Sequence, residues 1–267
     1  MTSVGANAVI GKWHGVRVLI RMIRWLDNWR HVWSAYRSST RLPVLRFRSG
    51  VTLHHSVHDD PIALLHEIVA GGCYRHGTRN PRRGVLVDIG ANIGVVTLDW
   101  ATRFPGAKIH AYEPAPTTCQ TLHLNIDANG LGDRVTVYEE AVGLDCGVAK
   151  LWVGIPSALV TSYGEAPPLP GSIAIEVPTI GLDEVVRRAN GMVSMLKIDA
   201  EGAEAHILQG AEHATLSAID QIILEYHESL CVGALRQCAG VLQEAGFFLE
   251  ARRHGSNGLL YGCRNPE

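Results

Sequence analysis

The six cysteines include no Cys-x-x-Cys pair and the chain shows no secretory leader, so reduced thiols in a cytoplasm are expected rather than a disulfide frame or zinc site. No run approaches about 18 uncharged apolar residues, so no membrane-spanning helix is expected. The G-x-G-x-x-G turn that seats a pyrophosphate is missing, which argues against a dinucleotide ligand. Net charge is small as well. The formal −2 hides an asymmetry, however: residues 1–50 hold nine Lys/Arg against Asp27 alone, a local +8 that leaves −10 for the remainder. What is present is 267 residues with 46% apolar content, enough to bury one large core. The expected organisation is a basic, Trp-rich extension over residues 1–50 followed by one domain over residues 51–267.

The stretch VLVDIGANIGVVT, residues 85–97, organises the pattern. Its first four residues form an apolar run ending in Asp88 and read as a buried parallel strand, and the run from Ile93 reads as a helix. Between them, Gly90 and Gly94 permit backbone angles and close approaches that a side chain would block. The helix start then points free N–H groups at any ligand in the turn. A G-x-x-x-G spacing with Asp88 at the strand end would repel a phosphate and suits a cationic ligand. About 20 residues on, the apolar segment 108–114 ends in Glu113, where a carboxylate is placed for two ribose hydroxyls. The two acids together suggest S-adenosylmethionine, with its adenosine and charged amino acid end.

Strand and helix then alternate, as a parallel sheet requires. Strands are predicted over 85–88, 108–112, 134–139 and 193–198, with helices over 93–103, 116–129 and 182–190. Residues 147–153 and 173–179 read as an extra hairpin joined by a proline-rich loop, and helix 233–245 precedes a closing pair, 247–252 and 259–263. Strand alternation puts Lys197 and Asp199 on one face, with Asp199 at the carboxyl end where open α/β sheets bind ligands. Lys197 is expected to be held by a carboxylate, because an unpaired buried ammonium is costly. Glu204 falls in the first turn of the next helix, where the dipole favours an anion. Glu225 and His227 are two apart on a later strand and share a face, so Asp199, Glu225 and His227 are expected in one crevice.

Towards the N-terminus, Trp25, Trp29 and Trp33 are four apart among arginines over residues 12–37, which predicts one helical face. Such a helix can lie on an anionic membrane or contact a partner or second copy; alternatively its tryptophans pack on the body and its arginines are solvated. A short strand pair over 42–58 and a helix through Ile62, Leu65, Ile68 and Val69 follow. His54, His55 and His58 resemble a ligand cluster, but alternation sends His54 and His55 to opposite faces, so no metal site is expected there.

The segments VLVDIGANIGVVT, AYEPAP, NIDANGL with VTVYEEAVG, VPTIGLDEVV, and LKIDAEGAEAHILQGAE with IILEYH resemble the FkbM family of S-adenosylmethionine-dependent methyltransferases, over about residues 59–250. The resemblance implies a Rossmann-like class I methyltransferase fold, α/β with a mostly parallel central sheet, helices on both faces and a closing antiparallel hairpin; the N-terminal helical extension over residues 1–50 lies outside it. It implies methylation of a hydroxyl on a sugar, glycolipid or secondary metabolite. Carried over by position, Asp88, Gly90, Asn92 and Gly94 would surround the methionine end, Glu113 would take the ribose hydroxyls, and Glu140 with Ala141 would flank the adenine. Asp199 and His227, with Glu225 nearby, are the candidates for orienting the alcohol and accepting its proton. Mg²⁺ held by Asp199 with Glu225 or His227 is compatible with the sequence but not required by it. A small-molecule or glycan acceptor is expected and nucleic acid is not, since the body is acidic and lacks the Asn/Asp-Pro-Pro-Tyr/Phe motif of amino-group methylation. The alternatives are a methyltransferase acting on nucleic acid or protein, and a non-catalytic cofactor-binding adaptor that uses the tryptophan tail.

Overall fold

Strand β3 (Val85–Ile89) is buried at every position because it runs through the middle of a sheet covered on both faces. The structure, a computed structural model, describes residues 18–38, 40, 44–55, 74, 79–81, 84–153 and 173–264. The helix predicted through Ile62, the 154–172 loop and His58 lie outside these residues. Among them, seven strands form the main sheet in the order β5 (Val135–Tyr138), β4 (Ile109–Tyr112), β3, β9 (Val193–Ile198), β10 (Gln221–His227), β12 (Asn257–Cys263) and β11 (Phe248–His254). Neighbours from β5 to β10 pair in parallel, whereas β12 is antiparallel to both β10 and β11. The expected mostly parallel sheet with a closing hairpin is therefore present.

Alternation along the strands divides the core. Leu86, Ile109 and Met195 join one apolar cluster with helices α2 (Val95–Arg103) and α3 (Pro116–Ala128). Val85, Val87 and Ile89 join a second with α4 (Leu182–Arg188), α5 (Glu204–Gln209), α6 (His213–Ser217) and α7 (Ala234–Glu244). A smaller sheet places β8 (Ile173–Gly181) between β6 (Ala141–Gly143), which it pairs in parallel, and β7 (Gly147–Val153), which it meets antiparallel as the predicted hairpin. The chain moves from β3 outward through β4 to β5, then returns to place β9 on the other flank of β3. The crevice at that reversal, beyond the carboxyl ends of β3 and β9, is where an open α/β sheet binds ligands.

Some boundaries moved for local reasons. The helix predicted from residue 93 begins at Val95, because Asn92 (φ 52°) and Gly94 (φ 92°) hold left-handed angles that a helix does not admit. The helix predicted to reach residue 190 ends at Arg188, before Asn190 (φ 58°) and Gly191 (φ 73°).

The single tryptophan-bearing helical face is corrected. Residues 18–25 are helical, the backbone breaks at residues 26–28, and α1 (Trp29–Arg37) starts afresh, so Trp25 is on a different helix from Trp29 and Trp33. Pairing with a remote strand causes the break. Leu26 forms a bridge with Phe47, the Asp27 N–H donates to Arg46 O (2.8 Å), and the Asn28 side chain bonds Val44 O (2.7 Å) and the Arg46 N–H (3.1 Å). Arg46 belongs to, and Val44 and Phe47 flank, the strand β1 (Leu45–Arg46), which pairs with β2 (Thr52–Leu53) inside the predicted 42–58 region. Val18, Met22, Leu26 and Val32 are buried in the cluster that contains α2, and Trp25, Trp29 and Trp33 pack partly buried against it. No helix among the described residues is long and apolar enough to cross a membrane.

Candidate active site

The glycine turn after β3 is built by close approach. A Cβ on Gly90 (φ 73°) would lie 1.8 Å from Asp199 O, so only glycine lets the β3 and β9 exits touch. Beneath the turn, Lys197 Nζ donates to Gly90 O (2.6 Å) and lies 3.3 Å from Asp88 Oδ1 and 3.5 Å from Asp199 Oδ2. Thr97 Oγ1 donates to the other Asp88 oxygen at 2.6 Å. The carboxylate expected beside Lys197 is thus present, and two of them hold it.

Across the turn, Glu113 leaves the end of β4 and accepts the backbone N–H groups of Asn92 and Ala115, each at 2.9 Å. Burial pushes its carboxyl up to about 7, against the lowering effect of those two bonds and of Lys197. Each oxygen keeps acceptor capacity for a further donor.

These groups wall a cleft whose empty volume, open solvent included, is about 640 Å³. Gly90, Asn92, Glu113, Glu140 and Ala141 line it together with Asp199 and Glu201, with Tyr112 and Leu151 among the apolar wall. Five of the seven residues expected around the cofactor therefore share one cavity. Asp88 and Gly94 do not line it. Asp88 is fully buried behind the turn under Lys197, and Gly94 faces the Leu122 side chain at the start of α2.

Glu140 is not a free carboxylate. Both Arg188 Nη atoms bond it, Arg188 Nε bonds Glu184 Oε1 (2.9 Å), and the guanidinium lies 4.9 Å from the Tyr138 ring centroid. Tyr138 stacks on Tyr112 at 4.6 Å, so one arginine braces both a charged and an aromatic part of the cleft wall. Sequence reasoning missed Arg188, since nothing local links residues 140 and 188.

At the other end, Asp199, Glu225 and His227 do converge. His227 Nδ1 is 2.8 Å from Glu204 Oε1, while Nε2 faces Glu201 Oε2 at 3.5 Å, Asp199 Oδ1 at 3.9 Å and Glu225 Oε1 at 4.0 Å. The Tyr74 hydroxyl donates to Glu225 Oε2 at 2.8 Å. Burial pulls the His227 pKa down, but the bond to Glu204 and the charges of Glu204, Glu201 and Asp199 outweigh it and lift the imidazole to about 9. Burial, then the Asp199 charge, pushes Glu201 up to about 7. His227 is buried and does not line the cleft, whereas Glu201 does.

Two residues of this group were not assigned a site role from sequence. Glu201 has φ 45°, an uncommon angle for a side-chain-bearing residue, in the tight turn leaving β9. Its signal was an acid two residues after Asp199 and next to a glycine. Glu204 was read only as an anion at a helix start. It is fully buried, and its Oε1 accepts the Ala200 (3.2 Å) and Gly202 (3.0 Å) N–H groups besides meeting His227, so it shapes the turn and orients the imidazole together.

Donor atoms of Asp199, Glu201 and His227 all lie within 4.8 Å of one another, an oxygen and nitrogen set that suits a divalent cation. Cys119, His123 and Glu139 approach one another similarly, but burial pushes the Cys119 thiol up to about 12, away from the thiolate that a metal needs. Neither His54 nor His55 belongs to such a group among the described residues.

A sheet in this order, a glycine turn after its central strand and an acid at the tip of the next define a class I methyltransferase. Residues 88–249 match the family described as Methyltransferase FkbM domain, and the chain belongs to that family. It is similar to the 31-O-demethyl-FK506 methyltransferase FkbM of Streptomyces tacrolimicus, 29% identical over 244 residues that cover 78% of this chain and 90% of that protein. It is also similar to the hexuronic acid methyltransferase AglP of Haloferax volcanii, 32% identical over 147 residues, 54% of this chain and 56% of that one. Among solved structures, the methyltransferase FkbM from Methylobacillus flagellatus KT shares the fold with a TM-score of 0.53 at 14% identity; the match covers 93% of this chain and 59% of that one. The protein is a methyltransferase.

Proposed function

We propose that the chain is an S-adenosylmethionine-dependent O-methyltransferase whose acceptor is a hydroxyl of a sugar, glycolipid or secondary metabolite. The observation that carries this reading is that Glu113 lines one cleft together with Asp199 and Glu201. The donor supplies an electrophilic methyl on a sulfonium. The chain's tasks are then to hold the adenosine, align the acceptor oxygen and take its proton.

Glu113 binds the ribose hydroxyls with the acceptor capacity left after its two backbone bonds, and Glu140, fixed by Arg188, meets the adenine edge. Gly90 and Asn92 bring backbone against the amino acid end. At the acceptor side, Asp199 and Glu201 are the carboxylates that reach the cleft, so they orient the hydroxyl and receive its proton. His227 works from behind through its contact with them, which narrows the role expected of it from sequence. Similarity to proteins named as a 31-O-demethyl-FK506 methyltransferase and a hexuronic acid methyltransferase supports a hydroxyl or sugar-acid acceptor.

A screen of sugars, glycolipid headgroups and polyketides with radiolabelled methyl donor tests the acceptor class. Calorimetry with S-adenosylhomocysteine tests the cofactor side: Glu113→Ala is expected to weaken binding by about 1–3 kcal/mol. Unchanged affinity would remove Glu113 from the ribose. Labelling of nucleic acid or protein in place of small acceptors would overturn the acceptor class.

A further inference from the structure

Among the described residues, five carboxylates, Asp88, Asp199, Glu201, Glu204 and Glu225, surround two basic groups, Lys197 and His227. Lys197 is engaged by Gly90 O, Asp88 and Asp199 Oδ2, the Tyr74 hydroxyl by Glu225 Oε2, and two backbone N–H groups by Glu204. Among the described residues no hydrogen bond reaches Asp199 Oδ1, Glu225 Oε1 or the carboxylate of Glu201. Those same three side chains fan around one ring nitrogen.

That nitrogen is the second observation. The His227 side chain is 6% exposed, and its Nε2 faces carboxylate oxygens of Glu201, Asp199 and Glu225 at 3.5, 3.9 and 4.0 Å, with no hydrogen bond to it among the described residues. Its Nδ1, by contrast, is fixed at 2.8 Å by Glu204, which is fully buried. A carboxylate that holds one imidazole nitrogen and aims the other into a cluster of oxygens is the arrangement by which proteins present histidine to a metal.

We propose that Asp199, Glu201 and His227 Nε2 bind one divalent cation, with Glu225 Oε1 beside it. Two carboxylates and an imidazole select a hard or borderline ion such as Mg²⁺ or Mn²⁺, and the set leaves coordination positions open. Because Asp199 and Glu201 also line the cleft, the cation has direct access to whatever oxygen the cleft receives. Binding of the ion stands apart from the methyl-transfer reading; its use in positioning an acceptor oxygen rests on that reading.

The test uses the full chain, stripped with chelator and titrated with Mn²⁺ alone, with and without S-adenosylhomocysteine. Loss of the free Mn²⁺ resonance should report one site per chain, and pulsed measurements should show ¹⁴N coupling from an imidazole. Glu201→Gln and Asp199→Asn should each weaken binding at least about tenfold, and His227→Gln should abolish the ¹⁴N coupling. Circular dichroism checks that each variant is folded, and Glu201→Gln keeps the test valid where His227→Gln fails to fold. No binding by the parent protein at about 1 mM Mn²⁺ overturns the proposal. So does binding that Glu201→Gln and Asp199→Asn leave unchanged. Normal S-adenosylhomocysteine calorimetry without Mn²⁺ binding would sink the cation site and leave the methyl-transfer reading standing. Mn²⁺ binding without any cofactor affinity would do the reverse.

Discussion

Glu204 and His227 meet across 23 residues, with Oε1 2.8 Å from Nδ1 and both side chains buried. One residue starts α5 and the other ends β10, so their contact fixes the β9–α5 turn against the β10 exit. Asp199 and Glu201 sit in that turn, and their approach to each other depends on it.

Replacing Glu204 with alanine leaves a buried imidazole and two turn N–H groups without their acceptor. The expected destabilisation is about 3 kcal/mol or more, read as a fall in the urea midpoint. A loss below about 1 kcal/mol would show that the pair does not hold the turn.

Glu113 gives the protein a pH dependence of definite sign. Its folded pKa is raised to about 7 from the ordinary 4.5, so its contribution to stability is present at low pH and lost as pH rises from about 4.5 through 7. Glu113→Gln should remove this component, and the stability difference between parent and variant should flatten above about 8. Affinity for S-adenosylhomocysteine should rise over the same interval in the parent, because the ionised carboxylate is the stronger acceptor for ribose hydroxyls, and should stay flat in the variant.

Two left-handed glycines should respond differently to alanine. At Gly90 the new Cβ meets Asp199 O at 1.8 Å, whereas at Gly130 (φ 63°) nothing lies within 4 Å. Gly130→Ala should cost about 1 kcal/mol from its backbone angle alone, and Gly90→Ala well above about 3 kcal/mol or the fold itself. Thermal unfolding of the two variants checks this, and similar values would show that the β3 and β9 exits do not need that contact.

Arg188 should matter to the cofactor without touching it. Arg188→Met releases Glu140 and the Tyr138 ring, and calorimetry should show about tenfold weaker S-adenosylhomocysteine binding. Arg188→Lys should recover only part of this, since a single ammonium cannot bond Glu140 and Glu184 as the guanidinium fork does. Parent affinity in Arg188→Met would confine the arginine to a surface role.

Periodicity and turn chemistry were legible wherever the deciding forces are local. The run from Val193 to Ile198 becomes β9 with the predicted bounds, because a fully buried parallel strand carries its apolar signal within itself. Glu113 at the tip of β4 and the glycine turn after β3 were read correctly as neighbours for a related reason: strand ends of one sheet meet at one edge. The continuous tryptophan helix failed because its 3.6-residue pattern persists across residues 25–29, while the backbone there answers to Phe47 and Arg46. Only a partner some twenty residues away could reveal that break.

Sequence by itself determined the alternation of elements, the direction of the sheet and which acids leave strand ends, since each follows from side-chain spacing over about ten residues or fewer. Tertiary structure alone decided which of those acids face the cleft. It buried Asp88 under Lys197, placed His227 behind Asp199 and Glu201, and brought Arg188 to Glu140, because desolvation and charge pairing depend on three-dimensional neighbours that no local pattern encodes.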